Sequence, residues 1–127
     1  MFRVVRVQRR RRRKASGLSL AQYEKYKEEA RALVHERLAN FAPFFGVSLK
    51  KVFIKNSRTR WGSCSSKGNL NFNYRLALIE PELVDYVVVH ELCHLKHFNH
   101  SPLFWAEVAR AVPNWKLLRK RLRTIKL

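Results

Sequence analysis

Apolar residues recur at three- and four-residue intervals along the first third of the chain: Tyr23, Tyr26, Ala30, Leu33, Val34, Leu38 and Phe41. That period puts them on one face of a helix. Arg37 is the only break in the stripe, and its aliphatic stem can lie along an apolar face. Ser19 and Gln22 have capping-box spacing at the expected start. Pro43 and Gly46 are expected to end the helix. Two strand-like segments follow, 51–60 anchored by Val52 and Ile54, then 60–65, leading into a turn at Ser66-Lys67-Gly68. Beyond the turn the alternation is strict. Leu70, Phe72, Tyr74 and Leu76 fall on one face of a strand, Asn69, Asn71, Asn73 and Arg75 on the other. Asparagine disfavours strands, so three amides on one face either meet solvent or line a cleft.

Pro81 suits the first turn of a second helix, with Glu80 and Glu82 at its positive end. This helix runs through Leu83, Val84, Val87 and Val88, and Asn99 is its expected left-handed stop. Ser101 and Pro102 have the form of a cap and first position of a third helix to about Ala111. Pro113 ends it, and a short basic helix from Asn114 closes the chain. Residues 2–7 alternate as a short strand would. The pattern predicts an α+β fold: an N-terminal helix, a small antiparallel sheet or hairpin, then further helices. There are no internal repeats. Residues 1–18 read as a basic arm and 19–127 as one domain.

Composition adds a strong bias. There are 27 lysines and arginines against 9 acids, a net charge of +18, and 46% of residues are hydrophobic. Eight cations lie at Arg3, Arg6, Arg9–Arg13 and Lys14; the other 19 against nine acids still leave about +10. The charge favours anionic partners, nucleic acid first, through the arm and through Lys116, Arg119, Lys120, Arg121, Arg123 and Lys126 of the last helix. No apolar run approaches the length of a membrane span, and no apolar stretch follows the basic N-terminus as in a secretory signal. Cys64 and Cys93 are too few for a disulfide framework. Reduced thiols and a cytoplasmic location are expected.

The chemistry concentrates in one segment. His90-Glu91-Leu92-Cys93-His94 lies on the second helix, and four of the five histidines fall between positions 90 and 100. Residues four apart on a helix share a face, so His90 and His94 can aim two imidazoles at one metal ion. Glu91 is placed to act as base on a water beside that metal. A catalytic zinc takes three protein ligands, and three candidates follow. His97 shares the face but lies roughly 7 Å along the axis from the midpoint of the pair, too far for an imidazole to reach back. Glu107 is the only later carboxylate. His100 comes just after the expected stop, where a turn can fold it over the metal. The order of preference is His100, Glu107, His97. The spacing also describes metzincins, but those have a glycine where His97 stands and a downstream methionine turn. Met1 is the only methionine here.

Two longer blocks carry a family resemblance: Arg60-Trp61-Gly62-Ser63-Cys64-Ser65 through Leu76, and Val89-His90-Glu91-Leu92-Cys93-His94 through His100-Ser101-Pro102-Leu103-Phe104-Trp105. Over about residues 20–122 the chain resembles the YgjP-like metallopeptidases, with SprT-like metalloproteases as more distant relatives. The resemblance implies a minimal zincin-like domain, one zinc ion per chain on His90, His94 and His100, and Glu91 as the catalytic base. It implies hydrolysis of peptide bonds in a peptide or protein substrate. Longer members have a β-rich region before the first helix; about eighteen residues stand there in this chain.

The oxyanion of such a reaction needs a donor besides the metal, and Tyr86, Tyr74 and Arg75 are candidates, each equally at home in a core. The strand-like segment 69–76 could lie beside the cleft and pair with an extended substrate. The competing function is a non-enzymatic, basic nucleic-acid-binding protein with a structural zinc. Structural sites are closed by four ligands and are rich in cysteine. Three good ligands beside a placed glutamate point to catalysis.

Overall fold

The computed structural model describes residues 17–127, with side chains from residue 20 onward. The expected strand over 2–7 and the run Arg9–Lys14 lie outside the described residues. In chain order the elements are α1 (Gly17–Phe45), β1 (Val52–Lys55), β2 (Gly62–Cys64), β3 (Leu70–Asn73), a 3-10 turn (Tyr74–Leu78), α2 (Pro81–His94), α3 (Pro102–Ala111) and α4 (Trp115–Arg123). The fold is α+β, as the periodicity predicts.

Helix α1 buries the expected stripe. Ala30, Val34 and Leu38 are inaccessible, and Tyr23, Tyr26, Leu33 and Phe41 pack beside them. Ser19 lies inside the helix, which is already formed at Gly17. Pro43 is accommodated in its last turn. The stop is Gly46, at φ +67°, and Val47 N–H closes back on the Ala42 carbonyl at 3.2 Å. Arg37, the interruption in the stripe, reaches Asp85 of α2, with Nε 2.6 Å from Oδ1. The chain's single aspartate thus meets the single charge in that face.

The sheet has the order β1-β3-β2. Strands β2 and β3 form the expected antiparallel hairpin, with Gly62 opposite Phe72 and Cys64 opposite Leu70. Strand β1 corrects the antiparallel expectation, because it pairs with β3 in parallel, Val52 beside Leu70. Side-chain alternation specifies which face a residue takes, not which strand lies beside it. The order is fixed by the segment 56–61, which crosses the end of β3. Asn73 staples that segment: its Nδ2 donates to the carbonyls of Ser57 (2.7 Å) and Arg60 (3.0 Å), and its backbone N–H donates to Trp61 O at 2.9 Å.

The other two amides are also used within the sheet. Asn71 Nδ2 donates to Ser63 Oγ at 3.1 Å, and Asn69 Oδ1 accepts from the Lys51 N–H. Strand β3 stops at Asn73, three residues before the alternation ends, because Asn73 Oδ1 caps Arg75 N–H and turns the chain into the 3-10 helix. Tyr74 and Leu76 stay buried there, and the Tyr74 hydroxyl donates to Gln22 Oε1 at 2.7 Å, tying the turn to α1.

Helix α2 runs through the middle of the domain, packed by α1, β2, α3 and α4, and every residue from Tyr86 to His94 is buried. Burial on all sides overrides the poor helix propensity of Val87-Val88-Val89. Helix α4 packs through Leu118 and Leu122, and Arg121 bridges Glu80 and Glu82 at the start of α2. No helix among the described residues is long and apolar enough to cross a membrane.

Candidate metal centre

Helix α2 ends at His94, not at Asn99, and no residue other than glycine has positive φ among those described. Leu95 and Lys96 N–H donate to the carbonyls of Leu92 and Cys93, three residues back, which tightens and stops the helix. The chain reverses over residues 95–100. Ser101 caps α3 by accepting the Phe104 N–H at 3.3 Å, and this fixes the residue before it, His100, above α2.

Three imidazoles converge there. His94 Nε2 lies 3.1 Å from His100 Nε2, which lies 3.3 Å from His90 Nε2. Two nitrogens each about 2.0–2.1 Å from a tetrahedral zinc lie about 3.3–3.4 Å apart. Both distances to His100 Nε2 are close to that spacing, and the three ligand atoms all lie within 4.8 Å of one another. Among the described residues these three form the one group able to hold a metal. His94 Nδ1 lies 3.2 Å from the His97 carbonyl. A carbonyl only accepts, so Nδ1 carries the proton and Nε2 presents its lone pair to the centre. His90 Nδ1 lies 3.4 Å from the Tyr86 hydroxyl, a partner that can hold it in the same tautomer. Burial pushes the imidazoles down, His90 well below its ordinary range, His94 and His100 to about 4. All three are neutral at pH 7, the state a ligand requires.

Aromatic rings hold the imidazoles. Phe104 is inaccessible and sits among all three, stacked on His94 at 4.4 Å and edge-on to His90 and His100, each at 5.0 Å. His100 belongs to an exposed turn, but its ring stacks on Trp105 at 5.5 Å, and Trp105 stacks on Trp115 at 4.1 Å. Phe104, Trp115 and the tautomer-holding place of Tyr86 are not legible in the motif, because each contact depends on how α3 and α4 fold back.

Glu91 is wholly buried, and neither carboxylate oxygen has a hydrogen-bond partner among the described residues. Burial pushes its carboxyl up to about 8. An orphaned carboxylate of this kind marks a functional site more often than a structural one. Gly62 of β2 leaves room for it. A methyl group at Gly62 would stand 3.1 Å from Glu91 Cγ and 3.2 Å from Oε2.

The remaining candidates lie elsewhere. Glu107 pairs with Lys96 (3.4 Å) and Arg110 (2.8 Å). Burial opposes its ionisation, yet those two cations hold it below the ordinary carboxylate range. His97 contributes its carbonyl to His94. Tyr86 stands at the Nδ1 side of His90, away from the converging Nε2 atoms. Tyr74 bonds Gln22, and the Arg75 guanidinium donates to Ser57 O at 2.9 Å. None of these three is aimed at an oxyanion. Both cysteines are free and buried, with burial pushing Cys64 up to about 11 and Cys93 to about 12. His35 is exposed on α1.

Two crystal structures share the fold. The metallopeptidase zymogen abylysin of Pyrococcus abyssi is 28% identical, at a TM-score of 0.66 over 72% of this chain and 92% of that one. The metallopeptidase zymogen jannalysin of Methanocaldococcus jannaschii is 23% identical, at a TM-score of 0.59 over 75% and 94%, a likeness of fold alone. Nothing among curated proteins matches the chain. The model of the YgjP-like metallopeptidase domain matches residues 4–125. Since that match takes in every described element, from α1 through the converging imidazoles to α4, the chain belongs to the YgjP-like metallopeptidase family.

Proposed function

We propose that this zinc peptidase holds one zinc ion on His90, His94 and His100 and uses Glu91 as general base to hydrolyse peptide bonds. The observation that carries this is the convergence of three neutral imidazole nitrogens, two of them on the same helix as a buried, unpartnered carboxylate. Zinc held there supplies a Lewis acid that polarises the scissile carbonyl and acidifies water. Glu91 takes a proton from the attacking water as its oxygen bonds to the carbonyl carbon. It delivers that proton to the amide nitrogen as the C–N bond breaks. Zinc-loaded protein should cleave an unfolded protein such as casein and stop when a chelator is added. A loaded protein that cleaves nothing would overturn the reading.

The substrate strand belongs at β2. Strand β3 is the central strand, paired on both sides, and has no edge to offer. Trp61 O and Ser65 N bond β3, so alternation turns the backbone groups of Gly62 and Cys64 outward. Among the described residues β3 is the only strand paired with β2. An extended peptide added there would pass Gly62, directly over Glu91. Gly62→Ala should lower kcat/KM about 100-fold, the scale of a 1 Å misplacement at a reacting centre. Rates within a few-fold of wild type would remove Gly62 from the site.

The basic exterior supports a second property, nucleic-acid association, through the arm (1–18) ahead of the peptidase domain (19–127) and through α4. Lys116, Lys120, Arg123 and Lys126 are exposed, while Arg121 is held by the two glutamates of α2. Deleting residues 1–14 should weaken DNA or RNA binding and flatten its salt dependence. Unchanged binding would make the arm irrelevant. The two free, buried thiols support a cytoplasmic, reducing location.

A further inference from the structure

On the polar face of the sheet, reaching Gly62 of β2, lies a groove of about 480 Å³. The segment 56–60 frames it, and Lys55, Ser57, Arg60, Ser63, Asn71 and Asn73 contribute to its walls. No carboxylate lines it.

Arg60 is built into this groove at the backbone. Its N–H donates to Ser57 Oγ at 3.2 Å, and its carbonyl accepts from Asn73 Nδ2 at 3.0 Å. Its guanidinium has no hydrogen-bond or ion-pair partner among the described residues, and it lies close enough to Glu91 to lower that carboxyl electrostatically, against the larger effect of burial. A guanidinium without such a partner, carried on an anchored backbone, presents a planar fork suited to a carboxylate. Ser63 is set for the same ligand. Its Oγ already accepts from Asn71 Nδ2, so its own proton is left to donate into the groove.

Strand geometry connects the groove to the scissile bond. Residues directly opposite each other in a sheet turn their side chains to the same face. A substrate residue opposite Gly62 would face α2 and Glu91, and its neighbour opposite Ser63 would face the groove. We propose that the groove is a specificity subsite for a substrate carboxylate, with Arg60 as its principal determinant and Lys55 and Ser63 supporting it. The inference rests on the peptidase reading above and on β2 as the substrate edge. The chain's +18 charge would draw such substrates in at long range.

A carboxylate can arrive as an Asp or Glu side chain near the scissile bond or as the substrate's own C-terminus. Zinc-loaded protein is assayed on two peptide pairs. One pair is C-terminally amidated with Glu or Gln at each position flanking the cleaved bond. The other carries Gln throughout with a free or amidated C-terminus. The acidic member of at least one pair should have kcat/KM about 10- to 100-fold higher, the range of one or two charge-assisted hydrogen bonds. Arg60→Gln should collapse that ratio, and Arg60→Lys, keeping charge but not the fork, should retain part of it. Equal rates for both pairs in the wild type would overturn the subsite. So would an Arg60→Gln variant that slows acidic and neutral peptides alike. Absence of cleavage of any peptide by zinc-loaded wild type would instead overturn the peptidase reading.

Discussion

Replacing Glu91 with glutamine is expected to abolish hydrolysis while leaving the zinc in place. The side chain keeps its size and its place beside Gly62 but can no longer take a proton. Loss of general acid–base catalysis costs about 10²–10⁴ in rate. Zinc content should remain as in wild type, because none of the three converging nitrogens belongs to residue 91. A variant that keeps its rate would dismiss Glu91 as the base.

The same substitution should stabilise the metal-free protein, in a pH-dependent way. Glu91 is buried and its carboxyl is pushed up to about 8. Between the ordinary carboxylate range and pH 8 the folded chain therefore holds a proton that the unfolded chain has released. Stability from this group is complete at acid pH and is lost as the pH rises through that window. Glutamine has no such dependence. The variant's advantage should grow from about pH 4.5 to pH 8 and then level off, at the order of a few kcal/mol. The imidazoles act in the opposite sense. Their depressed pKa values cost stability as the pH falls from about 6.5 towards 4. They are common to both proteins and cancel in the comparison. Thermal unfolding of metal-free wild type and variant across pH 4–9 reads the difference. A constant offset would show that the buried carboxylate is not its source.

The second large effect concerns His100. His100→Ala removes the nitrogen that lies within 3.3 Å of the other two and should lose both zinc and hydrolysis. Its place on an exposed turn makes the supporting stack important. Trp105 lies against the His100 ring and is itself backed by Trp115, with the Arg119 guanidinium 5.5 Å from the Trp105 ring. Trp105→Ala should weaken zinc binding by about 10- to 100-fold, the usual cost of losing an orienting contact behind a ligand. His100→Ala should cost more than that. Competition with a chromophoric chelator measures both. Wild-type affinity in His100→Ala would return Glu107 to consideration as the third ligand.

Much of this site can be read from the sequence because its central part is local. His90 and His94 share a helix face by spacing alone, and Glu91 adjoins them. The α1 stripe is legible for the same reason, since a single helix period places Ala30, Val34 and Leu38 together. What depends on distant partners is not legible. Nothing at position 37 reveals Asp85, and nothing at Asn73 reveals that its amide holds a crossing loop and so decides the strand order. The alternation reports faces correctly as far as Asn73 but not neighbours, which is why β3 could be taken for an edge. The end of α2 is misread for a similar reason. Asn99 carries a helix-stop signal, whereas the stop at His94 comes from a tightened last turn and from the His97 carbonyl accepting the His94 ring proton. That earlier stop gives His100 a six-residue turn in which to come back over the helix, and it takes His97 off the helix face altogether.

The most direct test is a zinc titration of metal-stripped protein read by peptide hydrolysis. Activity should rise linearly and break at one zinc per chain, with no rise in Glu91→Gln and no break at one equivalent in His100→Ala. Hydrolysis that is independent of added zinc, or absent at full loading, would contradict a three-histidine zinc centre served by Glu91.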